Sequence, residues 1–172
     1  MRFLKIAGVL LLVCSGSTCF AESLDEHWSL VTGEDPISYQ TVASLRQSSA
    51  NSIRDEKAKD EVLPILEFRC VPSTGAPIEF RIDWRRFISS FNTEAGFKAD
   101  GGKTTWLKLG VDQTNKITLS RSAADVEKLL ARIAGAQMLE IEIAPYSEAS
   151  VFANFDISTL DAALGELKEA CK

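Results

Sequence analysis

Two neighbouring stretches decide the fold: LEFRC at residues 66–70 and IEFRIDWR at residues 78–85. In both, apolar residues occupy every second position and charged residues fill the positions between them. A period of two is typical of a strand with one side facing a core. The intervening segment, PSTGAP at residues 72–77, is rich in turn-forming residues. We therefore predict an antiparallel hairpin with one buried and one solvated face.

Similar but shorter patterns predict the rest of the sheet. Residues 103–111 and 116–120 are expected to form a second hairpin, and residues 139–143 and 151–155 two further strands. The segment at residues 22–39 indicates a short strand followed by a turn.

The polar segment at residues 46–61 contains many serine and charged side chains. This composition is typical of a surface loop or a short solvated helix.

Two helices are predicted in the C-terminal half. Ser122 with Asp125 has the spacing of a capping box, and Gly135 ends the apolar stripe that follows. Ser158 with Asp161 repeats this pattern before a second stripe that includes Cys171. Strands followed by helices, without regular alternation, predict an α+β fold. We expect a mainly antiparallel β-sheet with two or more hairpins and two C-terminal-half helices, the last packed on the sheet.

The N-terminus has the order of a secretory signal peptide. A basic start at residues 1–5 precedes an apolar run at residues 6–14 and then small polar residues. The run is about half of the roughly 20 residues that span a bilayer, which disfavours the alternative of an uncleaved membrane anchor. We predict a signal peptide at residues 1–21, cleaved after Ala21, and a single domain at residues 22–172 in the periplasm, without stable membrane insertion.

Four cysteines occur in the sequence: Cys14, Cys19, Cys70 and Cys171. Cleavage removes the first two, so an oxidising compartment would favour a disulfide between Cys70 and Cys171. The alternative is two free buried thiols.

Charge argues against two classes of partner. Without Arg2 and Lys5, the mature chain carries 17 basic and 24 acidic residues, a net charge of −7. An acidic surface disfavours nucleic acid and anionic membranes as partners.

The sequence contains no recognisable catalytic or metal-binding motif, so we expect no catalytic residues, no metal and no cofactor. His27 is the single histidine, and no Gly-x-Ser-x-Gly or His-Glu-x-x-His pattern occurs. Glu140 and Glu142 would share one face of a strand, an arrangement that a glycosidase could use. Solvated strand charges are the simpler interpretation.

Three residues are candidates for binding a partner. Trp106 falls on the polar side of its predicted strand, and exposed tryptophans often dominate protein interfaces. The alternative is that the 46–61 segment or a helix covers it. Arg85 and Arg86 would either assist binding of an anionic partner or coat the surface.

Several short motifs follow one another along the chain. They are Trp28 with Asp35-Pro36, the stretch at residues 66–70, Ile82-Asp83-Trp84, the stretch at residues 97–102 leading to Trp106, and the stretch at residues 155–160 leading to Ala170-Cys171. In this order they resemble the type VI secretion-associated VasI/TagO-like periplasmic protein family. The resemblance implies a non-enzymatic periplasmic accessory protein that binds another envelope protein, in type VI secretion or a related process.

Two other functions remain open at the sequence level. One is a periplasmic immunity protein that inhibits a toxin. The other is an envelope glycan hydrolase that uses Glu140 and Glu142.

Overall fold

The computed structural model describes residues 21–23, 27–35, 38–57, 59–72 and 74–172. The signal peptide expected at residues 1–21 lies outside this part of the chain, except for Ala21. Ala21 is the first residue of the first strand, so cleavage after it would leave Glu22 and Ser23 in that strand.

Within the described residues the chain forms twelve strands and two helices. In chain order they are β1 (Ala21–Ser23), β2 (Ser29–Glu34), β3 (Thr41–Ser48), β4 (Ile53–Arg54), β5 (Glu61–Val62), β6 (Ile65–Cys70), β7 (Glu79–Asp83), β8 (Thr93–Ala99), β9 (Thr105–Val111), β10 (Ile117–Ser120), α1 (Ala123–Ile133), β11 (Met138–Ile143), β12 (Val151–Asp156) and α2 (Leu160–Ala170). All strands except β4 and β5 form one antiparallel sheet in the order β1-β2-β3-β6-β7-β10-β9-β8-β11-β12. The predicted α+β class and both predicted hairpins, β6 with β7 and β9 with β10, are confirmed.

The sheet curls until strands far apart in its order meet. β3 and β12 are seven places apart, which would separate them by about 34 Å in a flat sheet. Yet the Gln47 side chain on β3 donates a hydrogen bond to the Asp156 carbonyl on β12 (2.7 Å). Just after β3, the Ala50 N–H donates to the Asn154 carbonyl (2.7 Å). We call this junction between residues 47–51 and β12 the seam.

The segment at residues 46–61 helps to form this seam. Its described residues form no helix, so the helix alternative is wrong, and the loop alternative is correct only for the residues between its strands. β3 continues through Ser48, and β4 pairs with β5. Between them, the Asn51 side chain donates to the Phe152 carbonyl and accepts from the Asn154 N–H, both at 2.8 Å. A side-chain amide thus takes the place of a neighbouring strand along the edge of β12.

Aromatic rings fill the interior of the curled sheet. The ring centroids of Trp28 and Phe68 are 6.3 Å apart, those of Phe68 and Phe80 are 5.5 Å apart, and those of Phe80 and Phe97 are 5.6 Å apart. Phe80 is on β7 and Phe97 on β8, with β10 and β9 between them in the sheet order. The last contact therefore crosses the interior and joins the two parts of the sheet.

Both helices belong to the same core. Ser122 caps α1 by accepting a hydrogen bond from the Asp125 N–H (3.3 Å), and Gly135 follows with φ of +72°, as the sequence predicted. α2 starts differently: Thr159 is its N-cap, while Ser158 bonds to the carboxylate at the end of β12.

α2 packs against β2 and β3, which confirms the predicted contact of the last helix with the sheet. None of the described helices has the length and apolar composition to cross a membrane.

A disulfide fastens α2 to the sheet. Cys70 is the last residue of β6, and Cys171 directly follows α2. The two residues form a disulfide with their Cα atoms 6.0 Å apart, as predicted from the sequence.

We predict that reduction of this disulfide lowers the free energy of unfolding by about 4 to 5 kcal/mol, because the bond closes a loop between residues 101 positions apart. Urea unfolding with and without reductant measures the effect. Cys171→Ser should unfold at the midpoint of the reduced protein and should not respond to reductant. An unchanged midpoint after complete reduction would contradict the prediction.

Candidate functional site

The strands β9, β8, β11 and β12 turn alternate side chains away from the core. We call this surface the Trp106 face. Its side chains are Trp106 and Lys108 on β9, Glu94, Gly96 and Lys98 on β8, Met138, Glu140 and Glu142 on β11, and Phe152, Asn154 and Asp156 on β12.

One row of this face runs straight across the four strands. Trp106 is paired with Gly96, Gly96 with Glu142, and Glu142 with Phe152. Trp106 is 52% exposed and Phe152 is 42% exposed, while the residues on the opposite side of the same strands form the core. The sequence-based expectation that Trp106 lies on the outer side of its strand agrees with this arrangement, and Trp106 is not buried by residues 46–61 or by a helix.

Gly96 has no side chain, and the space this leaves is partly filled by the Trp106 indole. We call this contact surface at Gly96 the seat. A Cβ atom at Gly96 would lie 3.2 Å from both Cη2 and Cζ3 of the indole and 2.8 Å from the Thr104 methyl group. The φ angle of Gly96 is not positive, so close approach of the ring, and not backbone conformation, accounts for its lack of a side chain. The indole therefore extends across β8 and keeps its other side in solvent.

The described residues of the Trp106 face carry four carboxylates and two lysines. Lys98 pairs with Glu140 (Nζ to Oε1, 3.4 Å), and Lys108 stands directly opposite Glu94 in the register. Glu140 and Glu142, considered above for glycoside hydrolysis, lie on this open surface with one of them in an ion pair.

A second polar surface covers the outer side of β3, β6 and β7. We call it the charge network. Its members are Asp35, Arg46, Glu67, Arg69, Glu79, Arg81 and Arg121. Arg69 is central: its Nη1 is 2.8 Å from Asp35 Oδ2, and its Nε is 3.0 Å from Glu79 Oε2. The sequence indicated a solvated face here, but Glu79 and Arg81 are buried because neighbouring charged side chains cover one another.

Burial alone would lower the pKa of Arg69, but the hydrogen bond that Arg69 donates to Glu79, the charge of Glu79 and the hydrogen bond that Arg69 donates to Asp35 raise it. Arg69 is therefore a fixed cation that compensates two largely buried carboxylates. A cavity of about 400 Å³ lies beside the network, and Arg69, Arg81 and Arg121 are among its lining residues. Each of these arginines faces a carboxylate at 3.4 Å or less.

The two arginines proposed as partner-binding residues differ in their surroundings. Arg85 is exposed and has a positive φ of 60°. Arg86 is not a surface residue, since its side chain is 3% exposed. Its guanidinium donates to the Arg54 carbonyl on β4 (2.7 Å) and to Glu148 (2.6 Å), so it links β4 to the loop between β11 and β12.

His27 is the remaining side chain that the sequence analysis considered for chemistry. His27 is exposed, with its Nε2 3.6 Å from Asp156 Oδ2. Among the described residues, no cluster of three or more His, Cys, Asp or Glu side chains could hold a metal ion.

We predict that Arg69→Met lowers the free energy of unfolding by about 3 kcal/mol, because it removes the guanidinium that bonds to two largely buried carboxylates, Asp35 and Glu79. Arg121→Ala is the matched control. It removes a second arginine from Glu79, but its side chain is 72% exposed, so the change should stay within about 0.5 kcal/mol. Urea unfolding compares them, and equal losses would show that the network is not centred on Arg69.

We also predict that Gly96→Ala displaces the Trp106 indole from its seat. The tryptophan emission should shift to longer wavelength and become more accessible to acrylamide, since Trp28 and Trp84 are buried and Trp106 is the exposed tryptophan. Gly33→Ala, in β2 with no atom near the added methyl group, should leave the emission unchanged. If Gly96→Ala leaves the emission as unchanged as Gly33→Ala does, the indole does not depend on the seat.

The structure thus contains one open surface with exposed aromatic side chains and one internally compensated charge network. The chain matches no protein-family model, no curated protein sequence and no solved structure.

Proposed function

We propose that this chain is a non-enzymatic periplasmic accessory protein that binds another envelope protein through the Trp106 face. The observation that carries the proposal is the half-exposed Trp106 indole, which lies in a seat formed by Gly96. Tryptophan at the centre of an interface contributes more binding energy than most other residues.

The position of Trp106 favours binding in a fixed geometry. The residue belongs to a central strand of the sheet, and the indole is packed against the adjacent strand β8. A side chain held in this way loses little conformational freedom when a partner covers it. Phe152, three strands away in the same row, extends the exposed apolar surface.

The proposed location in the periplasm rests on two features. Disulfides persist in oxidising compartments, and Cys70 and Cys171 are joined. The N-terminal sequence pattern is that of a signal peptide, although residues 1–20 lie outside the described structure.

The proposed link to type VI secretion rests on the resemblance to the VasI/TagO-like family. One of the motifs that carry it, at residues 97–102, leads from the end of β8 directly toward Trp106. Deletion of the gene should reduce secretion of a known type VI cargo, with complementation by the intact gene as control. Unchanged secretion would remove this role and leave the binding function to be judged separately.

We predict that Trp106→Ala weakens binding to the partner at least about tenfold, since truncation of an interface tryptophan costs roughly 2 kcal/mol or more. Proteins captured by the disulfide-bonded protein from periplasmic extract would be identified, purified and titrated against it by calorimetry. Tyr39→Asn is the matched control, because Tyr39 is exposed between β2 and β3, outside the Trp106 face, and its positive φ suits asparagine.

Equal affinities for the native protein and Trp106→Ala would refute the proposal. Failure to capture any protein from the periplasmic extract would also refute the proposal. If the Trp106-dependent partner is a second copy of this chain, the face is a self-association surface and the accessory function is wrong.

A further inference from the structure

Glu142 is the carboxylate closest in register to the Trp106 seat. Gly96 separates the two residues, and its hydrogen atom leaves room for the indole to extend toward β11. Paired Cβ positions on neighbouring antiparallel strands are about 4.5 to 5.5 Å apart. Since the indole edge lies 3.2 Å from the position that a Gly96 Cβ would take, we infer that the Glu142 side chain starts near that edge.

Glu142 differs from the other carboxylates of the Trp106 face. Glu140 is paired with Lys98, Glu94 stands opposite Lys108, and Asp156 lies near His27. Within the part of the chain that the structure describes, Glu142 forms no hydrogen bond or ion pair. Glu142 also has no cation directly opposite it in the register, since its paired neighbours are Gly96 and Phe152, and it adjoins the exposed aromatic ring.

An aromatic face beside a carboxylate is suited to a cation. The face of an indole ring is electronegative and attracts a Lys or Arg head group within about 6 Å of its centre. A guanidinium is the better match, because its plane stacks on the ring while its N–H groups can donate to a neighbouring carboxylate. The net charge of the whole chain, −5, also favours a basic partner.

We propose that Trp106 and Glu142 together form a binding site for an arginine side chain of the partner protein. This inference rests on the proposed function and specifies its chemistry. The guanidinium stacks on the solvent side of the indole, and the Glu142 carboxylate accepts hydrogen bonds from it. Phe152, paired with Glu142 on the far side, lines the site opposite Trp106.

The test is a titration with the peptide acetyl-Gly-Arg-Gly-amide, observed through the indole N–H signals in nitrogen–proton correlation spectra. The Trp106 signal should move in a saturable way, whereas those of the buried Trp28 and Trp84 should stay in place. The same peptide with citrulline, which keeps the shape but lacks the charge, should cause no saturable change.

Glu142→Gln should raise the dissociation constant of the arginine peptide about fivefold, the order expected for loss of one exposed charge pair. Glu140→Gln is the matched control: it makes the same chemical change on the same strand and face, next to Lys98. Its effect should be less than about twofold by the same reasoning, since Glu140 is already compensated. Unchanged indole signals of the buried Trp28 and Trp84 in both free variants would verify that they are folded.

Equal weakening by the two substitutions would overturn the inference, as would equal binding of the citrulline peptide or no shift at Trp106. These failures differ from failure of the proposed function. If Trp106→Ala abolishes capture of the envelope partner while the peptide results are negative, the Trp106 face binds a partner by other chemistry.

Discussion

The fold depends on hydrogen bonds between side-chain amides and the backbone of an edge strand. A strand at the end of a sheet presents unpaired N–H and C=O groups, and their burial without partners is costly. Along β12, Asn51 supplies a donor and an acceptor, and Gln47 supplies another donor. Because these contacts hold β12 against the end of β3, the sheet encloses its apolar side and both helices join a single core.

Local patterns in the sequence were sufficient to predict the strands and helices whose hydrophobic periodicity is strong. The alternation at residues 66–70 and 78–85 predicted β6 and β7, and the capping residues predicted α1. β8 was not recognised, because TEAGFKA combines small, polar and apolar residues without a clear period. The seam was also missed, since a polar segment that bonds to a strand about 100 residues later has the composition of a loop.

The candidate site was predictable in part. The period of β9 placed Trp106 on the outer side, but sequence gave no sign that Gly96 would lie under the indole, because that depends on the register of two strands. Arg86 shows the opposite difficulty. Adjacent arginines suggest a solvated surface, yet Arg86 is buried because it bonds to Arg54 on β4 and to Glu148, which are both remote in sequence.

The position of α2 has a consequence for the order in which the molecule can be completed. β2 and β3 come early in the chain, but the surface that covers them is supplied by α2, near residue 171. The early strands therefore remain incompletely packed until the last helix has emerged, however the chain is delivered. During that interval their apolar residues are open to solvent, and a chaperone that shields nascent chains would find its binding sites there.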